Sequence, residues 1–454
     1  MIIKHPLLIV FFVCLINYSA YAQEDTKYNF SLQEAVTFAL DSSYASLNAK
    51  RDVAKALKQK WETTAEGLPQ INAAVDYENR IQQIVTPVPA DFNNPDAGFV
   101  NLRFGTQQNM NVSATLSQLI FDGTYIVALQ AAKTFLAYSD NLEQQTKLNV
   151  RQEAIRAYGN VLVAKNYIDI LDNNIAVAKS NLNETRKIYE NGFAEEEDVE
   201  QLEITYQQLQ NQLRNATRNY QLSKEAFKMV LGIPLDQSVR LTDQLENLAT
   251  KGLMTKSLLD EPFNPESTID YKVADNLVQQ RDLELKREKS NALPSLSGFI
   301  NYGTVANEDK FLFFNQNTKW FQYSIVGLSL DIPIFSSFRR RAKTQRAKIA
   351  QEQAETQRKQ ALENIKLDYK RAKNDFEMAI DNYHTSVSNL NLAQRIADKN
   401  RTKFKEGIAT SFELRQAQTQ LYSAQNDYLS AMQSVINQKA KLEKVINKPL
   451  PTQQ

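Results

Sequence analysis

Loop-making residues are scarce in this sequence, with only 12 glycines and 12 prolines among 454 residues. That excludes a chain built of many short turns. Long stretches rich in Gln, Asn, Ala, Lys and Glu favour extended helices instead. Cysteine is rarer still: the one present, Cys14, sits in an apolar leader, so the chain beyond it has neither a disulfide framework nor thiol chemistry. The two histidines are His5, in the leader, and His384, on a helical stretch. One histidine beyond the leader excludes the usual multi-histidine metal sites, and His384 reads as an ordinary helix-surface residue. Charge of one sign is missing too, since 53 basic side chains face 52 acidic ones and the leader carries only Lys4. A neutral chain has no general attraction to nucleic acid. No nucleophile, base or metal cluster rises above the background of helix-surface charges, so the sequence points to no enzymatic activity and no cofactor. Beyond the leader no apolar run reaches the roughly 18 residues of a membrane helix.

The leader has Lys4, an apolar run from Pro6 to Ile16 and the small-residue site Ala20-Tyr21-Ala22. This is the pattern of a secretory signal peptide over 1–22, with cleavage before Gln23. Cys14 lacks the small residues that precede a lipid-modified cysteine and is expected to leave with it.

What is present is a duplication. Arg186 to Leu235 aligns without a gap on Arg401 to Leu450 at a constant offset of 215 residues, placing Gly192 on Gly407, Gln210 on Gln425, Lys224 on Lys439 and Pro234 on Pro449. In each copy the apolar positions step by three and four, the seam of a coiled coil. They run Val199, Leu202, Tyr206, Leu209, Leu213, Ala216 and Tyr220 in the first, and Leu414, Ala417, Leu421, Ala424, Tyr428, Ala431 and Val435 in the second. The rhythm continues backwards across the glycine into the preceding helix. Each copy is therefore a long helical hairpin, with Gly192 and Gly407 supplying the left-handed backbone at its tip. The organisation that follows is a first repeat over 23–234, an irregular connector over 235–267, a second repeat over 268–449 and a tail over 450–454.

Between the helices the period changes to two. Ser31 with Glu34 opens a first helix through a capping box, expected to run to Glu66. After Leu68-Pro69, Ile71, Ala73, Val75 and Tyr77 alternate with polar neighbours. After a loop over 81–108, Met110, Val112, Ala114 and Leu116 do the same. Asp122 is placed to cap a helix running without proline to Glu190, about 68 residues and roughly 100 Å long. The second half repeats the order: Leu293-Pro294, a strand through Leu296, Ile300 and Tyr302, a loop over 305–319, a strand from Trp320 to Ile334, and a helix to Lys405. Strands of about ten residues suit a tilted crossing of a bilayer. Such strands, in two hairpins, are too few for a closed barrel, so their edges need other copies of the chain. A half-buried sheet packed on the helices of a soluble protein is the other reading of the same alternation. Trp320, Phe321 and Tyr323 fit either an interfacial aromatic girdle or a local core.

In this order and duplication the chain resembles the TolC family of bacterial outer membrane efflux proteins. The carrying features are Leu68-Pro69 and Leu293-Pro294 before the first strand of each half, and the exits Phe121-Asp122-Gly123 and Phe335-Ser336-Ser337. The tip glycines Gly192 and Gly407 add to these, each followed six positions on by an acid, Asp198 and Glu413. The resemblance implies a mainly α fold with a small β part. Long helical hairpins would form a periplasmic α-barrel, and four strands per chain would enter a transmembrane β-barrel shared by a homotrimer. It implies residence in outer membrane lipid with the helices in the periplasm, where a periplasmic adaptor protein and an inner-membrane transporter dock at the tips. The chain would be the passive exit duct of a tripartite efflux or type I secretion system. By the same resemblance Glu413 and Asp198 belong to the periplasmic gate, with Gln416 where a second acid is common. Gly192, Phe193, Gly407 and Ile408 would meet the adaptor. Simpler roles stay open: the acids as favourable charges at helix amino ends, the glycines as turn closers. A soluble periplasmic coiled-coil scaffold, or the adaptor itself, is the alternative, although a scaffold needs no strands of membrane length and the chain lacks an adaptor's Gly-rich β-domains.

Overall fold

The computed structural model describes residues 27–94, 96, 98–255, 259–260 and 262–449; the predicted leader and the tail lie outside them. In chain order the first repeat gives β1 (Lys27–Phe30), α1 (Leu32–Ser42), α2 (Tyr44–Glu66), β2 (Gln70–Asn79), β3 (Val85–Pro89), β4 (Phe99–Arg103), β5 (Gln108–Asp122), α3 (Gly123–Glu190) and α4 (Glu196–Leu231). Then follow β6 (Ser238–Leu241), α5 (Leu245–Leu253), α6 (Ile269–Ser290), β7 (Ser295–Glu308), β8 (Trp320–Asp331), α7 (Arg339–Lys405) and α8 (Ser411–Val445). The chain divides into two compact units: one holds the residues up to Lys50, Glu143–Ile269 and the residues from Glu363 on, the other Arg51–Leu142 and Asp270–Leu362. Each unit draws on both repeats.

The first unit is built on helix seams. The buried positions of α4 include Leu202, Leu209 and Ala216, and those of α8 include Leu414, Ala417, Leu421, Ala424, Ala431 and Val435, which are the residues that the period of three and four selects. Leu209 and Ala216 pack with Leu171 and Ala178 of α3, while Leu421 and Ala424 pack with Ala393 and Ala397 of α7. Alanine opposite larger residues lets the helices approach closely. The two hairpins also join each other through α3 and α8. There Asn174 donates to Gln425 at 2.8 Å, and Arg151 pairs with Glu443 at 2.5 Å and donates to the Lys448 carbonyl at 3.1 Å.

Two expectations change in this unit. The first helix is not continuous: Ser43 adopts an extended ψ of 144° and divides α1 from α2. The Ser42 hydroxyl reaches both its own Phe38 carbonyl at 2.6 Å and the Leu231 carbonyl at 2.8 Å, and Gly232 lies so close that a Cβ there would meet the Ser42 oxygen at 2.4 Å. Serine side chains that compete for backbone groups break the helix where the end of α4 packs against it. The connector, expected to be irregular, holds β6 and α5. Strand β6 pairs in parallel with β1, Tyr28 opposite Val239. Val239, Leu245, Leu248 and Ala249 enter the same core as Ala35 and Val36 of α1, Tyr158 and Val161 of α3, Phe227 of α4, Phe376 of α7 and Val435 of α8. Strands of four residues carry too little alternation to be read from a sequence.

At the centre of that core Tyr158 is fully buried. Its hydroxyl lies 3.0 Å from the Phe30 carbonyl and 3.0 Å from the Asp243 carboxylate, and accepts from the Asp243 amide at 3.2 Å. The same carboxylate accepts from the Leu32 amide at 2.7 Å. Burial pushes the phenol well above its usual pKa, so it acts as a neutral donor that ties the β1–α1 turn to the connector.

The second unit holds a four-stranded antiparallel sheet in the order β2-β5-β7-β8, as the alternation predicts. The strands are longer than the ten residues expected, reaching 15 in β5 and 14 in β7, and the loop over 81–108 contains the hairpin β3–β4. The helix-to-strand turns are clamped by polar contacts. Asp122 caps α3, accepting from the Thr124 and Tyr125 amides at 2.6 and 3.1 Å. Tyr125 donates to the Thr64 carbonyl at 3.0 Å, and Gln118 to the Gly67 carbonyl at 2.7 Å. Below the sheet α6 is tied to both long helices, by Asn141 to Asn276 at 2.6 Å and by Arg358 to Asp275 at 2.6 Å.

Replacing Tyr158 by Phe removes one donor from the half-buried Asp243 carboxylate and is expected to destabilise the first unit by about 1–3 kcal/mol, read as a fall in the midpoint of thermal unfolding. Truncating the ring that packs on it, Phe227→Ala, is expected to cost more, about 3–5 kcal/mol.

Candidate functional site

The sheet has two chemically different faces. Register places Ile71 opposite Leu116, Val75 opposite Val112 and Tyr77 opposite Met110; the row continues through Ile300 and Tyr302 of β7 to Val326, Leu328 and Leu330 of β8. This apolar face is open: Ile71 is 72% exposed, Val326 78% and Leu328 72%. The other face carries Asn72, Asp76, Asn111, Ser113, Thr115 and Asn301, and its side chains bond across strands. Asn109 donates to Asn307 at 2.8 Å, Asn301 to Thr115 at 2.6 Å and Tyr323 to Asn111 at 2.9 Å. Such cross-strand pairs hold the register.

The aromatic residues at the start of β8 divide between the faces. Trp320 packs with Met110, Ala306 and Phe313 on the apolar side, whereas Tyr323 bonds on the polar side. Of the two readings of Trp320, the structure bears out a local core, and Tyr323 lies on the polar face. Tyr77, Phe311, Phe313 and Trp320 form an aromatic cluster through edge-on and tilted ring contacts at 5.5–6.5 Å. Phe311 and Phe313 lie in a loop, where strand alternation cannot announce them.

Both outer strands of the sheet, β2 and β8, pair on one side only. The bulge between Leu119 and Phe121 turns the end of β5, so that Phe121 and Asp122 re-aim into the cap of α3.

The hairpin tips lie in the first unit. Gly192 and Gly407 have φ of 79° and 74°. At each tip the next residue's amide reaches back five positions, Phe193 to Ile188 at 3.0 Å and Ile408 to Lys403 at 2.8 Å. This is the Schellman closure that left-handed glycine permits. Phe193 and Ile408 are exposed, as is Phe412.

Both predicted gate acids occupy the third position of a capping box. Glu413 accepts from the Thr410 amide at 2.8 Å and returns its own amide to the Thr410 hydroxyl at 3.3 Å. The Thr410 amide and hydroxyl, both donating to that carboxylate, with Lys403 nearby, hold it below the usual range. Asp198 accepts from the Glu195 amide at 3.4 Å and also from the hydroxyl of Ser411, in the other repeat. The helix-end role of both acids is thus present in the structure. Asp198 is joined to Ser411, two residues before Glu413, and the two acids are not bonded to each other.

Sequence reasoning missed the residues that hold the tips together. Arg415 donates to Gln201 at 2.7 Å and stacks over Phe412 at 5.6 Å, while Lys405 pairs with Glu184 at 3.1 Å. A signal existed. Ser411 and Asp198 are 213 residues apart and Arg415 and Gln201 are 214 apart, almost the repeat offset, so corresponding turns of the two repeats are neighbours.

Among the described residues no helix is long and apolar enough to cross a membrane. Residues 272–448 match the outer membrane efflux protein family, and no curated protein matches the chain. The fold is similar to that of the outer membrane protein VceC of Vibrio cholerae, with 14% identity, a TM-score of 0.69 and coverage of 91% of this chain and 95% of that one. It is also similar to the CmeC outer membrane channel of Campylobacter jejuni (15%, TM-score 0.71, 91% and 85%). The MtrE outer membrane channel of Neisseria gonorrhoeae gives a comparable match (15%, TM-score 0.68, 91% and 88%). The second repeat thus matches the outer membrane efflux protein family, and along nearly its whole length the chain has the fold of outer membrane channels.

Proposed function

We propose that this chain is the outer membrane exit duct of an export assembly: three copies close their sheets into one barrel in the membrane and their hairpins into a periplasmic conduit. The observation that carries this reading is the open, two-faced sheet. Away from the end covered by Phe311 and Phe313 its apolar face is open, with Ile71, Val75, Val326 and Leu328 exposed, and its outer strands leave backbone donors and acceptors unpaired. A bilayer solvates the first, and neighbouring copies satisfy the second. In water each exposed Ile, Leu or Val of that face would forgo about 1.5–3 kcal/mol of burial, which disfavours a soluble scaffold.

The polar face then lines the pore. Its bonded ladder of Asn, Ser, Thr and Tyr offers solutes a wet wall and no bound intermediate, in keeping with a passive duct. The family is one of channels, and no catalytic role is assigned to any residue. The energy for export comes from a transporter in the inner membrane, and the adaptor that links the two meets the tips at Phe193 and Ile408, with Gly192 and Gly407 shaping the turns. Phe412 extends that exposed apolar patch. Glu413, repeated around the axis, forms with Asp198 the narrow mouth, where like charges attract cations and repel one another.

Three outcomes test this. Leu328→Lys, on the lipid face, is expected to cost about 2–4 kcal/mol of barrel stability and to abolish recovery of folded oligomer from membranes, whereas Ser113→Lys on the opposite face leaves assembly intact and shifts the ion selectivity of pores in planar bilayers. Glu413→Ala lowers the cation preference of those pores; an unchanged preference would remove Glu413 from the mouth. The pH dependence has a definite sign. Because its carboxyl is held below the usual 4.5, the helix-cap contribution of Glu413 is complete above that value and is lost as pH falls through the lower folded-state value. Cation preference measured as pH falls from neutrality should therefore persist further into acid than an unperturbed carboxylate would allow, and be lost as pH falls through the lowered folded-state value.

A further inference from the structure

We propose that the turn from β8 into α7, Ile332 to Arg346, is a binding surface for the headgroups of anionic phospholipids; the proposal rests on the membrane reading above. From Ile332 to Gln351 the chain has six basic side chains, Arg339, Arg340, Arg341, Lys343, Arg346 and Lys348, and no acid before Glu352. Arg340 is used within the turn, donating to the Pro333 and Ile334 carbonyls at 2.7 and 3.1 Å. Lys348 lies 3.8 Å from Glu352. The remaining four, Arg339, Arg341, Lys343 and Arg346, are exposed and have no acidic partner among the described residues.

This placement runs against the physics of the helix that carries it. The amino end of a helix has a partial positive charge that favours acids, and cations crowded on its first turns repel one another as well. The first repeat supplies an internal control. At its corresponding exit the Asp122 carboxylate caps α3, and the next charged side chain is Lys133. A strand-to-helix exit therefore needs no basic cluster, and the cluster's cost is offset only by an anion from outside the chain.

The apolar side chains of the same turn say which kind of anion. Ile334 is 88% exposed, Phe335 76% and Phe338 70%, and the two rings meet edge-on at 6.1 Å. Phe338 sits at a φ of 60° and Ser337 at 47°, a conformation unfavourable for a bulky side chain, held in part by the Arg340 bonds to the preceding carbonyls. A soluble anion or an acidic protein would match the cations and leave these rings in water. The edge of a bilayer matches both, with acyl chains beside Ile334, Phe335 and Phe338 and phosphates within reach of the four free cations. The turn follows directly from the lipid-facing row Val326, Leu328 and Leu330 of β8.

The test uses the full chain reconstituted into vesicles of phosphatidylcholine with phosphatidylglycerol, then extracted in mild detergent, with the co-purifying lipid counted by native mass spectrometry. Retention of phosphatidylglycerol over phosphatidylcholine by at least about ten-fold is expected, falling towards parity in Arg339→Gln/Arg341→Gln/Lys343→Gln/Arg346→Gln and, for the unaltered chain, in high salt. The salt series stands even if the variant does not fold. Insertion without lipid preference, or a preference indifferent to both the substitutions and salt, overturns the proposal and leaves the duct intact. Failure of the unaltered chain to enter vesicles of either lipid overturns the membrane reading and the lipid surface with it.

Discussion

An unpaired backbone edge is the constraint on which this structure turns. Buried away from water, each peptide group without a partner costs several kcal/mol, and the sheet ends in two such edges, β2 and β8. In the proposed duct its apolar face meets lipid, and its edges tolerate lipid only once they are closed. The four long strands of this sheet among the described residues are too few to close those edges within one chain. The cross-strand bonds of Asn109, Asn301 and Tyr323 tie β5 to β7 and β8, and the alternation of β2 keeps Ile71, Val75 and Tyr77 on one side.

The helical part serves that sheet by a different means. Hairpin seams of alanine and leucine hold neighbouring helices side by side, and the two hairpins meet through α3 and α8. The connector binds both repeats into one core through Tyr158 and Asp243. What the duplication leaves equivalent is packing, and what it leaves different is chemistry. At the tips Asp198 reaches the other repeat while Glu413 serves its own helix. At the sheet exits Asp122 caps one long helix while arginines crowd the other.

Much of this was legible because it is periodic. The three-four seam, the two-residue alternation, the capping box of Ser31 and Glu34 and the tip glycines each follow from local rules that hold whatever the neighbours do. The departures all come from contacts distant in sequence. The Ser43 break depends on the end of α4, β1 is a strand only because β6 lies beside it, and the aromatic cluster at the sheet's end draws Phe311 and Phe313 from a loop. The tip contacts of Ser411 and Arg415 were present in the sequence as a repeat offset, but as polar residues outside the apolar seam they gave no periodic signal of their own.

The most direct test of the account is disulfide trapping between copies. One cysteine is placed on β2 and one on β8, scanned along the strands, in a chain whose one native cysteine is Cys14. Oxidation of membranes containing the folded chain is predicted to give covalent trimers at the registers where the two edges meet. A chain that remains monomeric at every register, and is recovered in the aqueous fraction, would contradict the account.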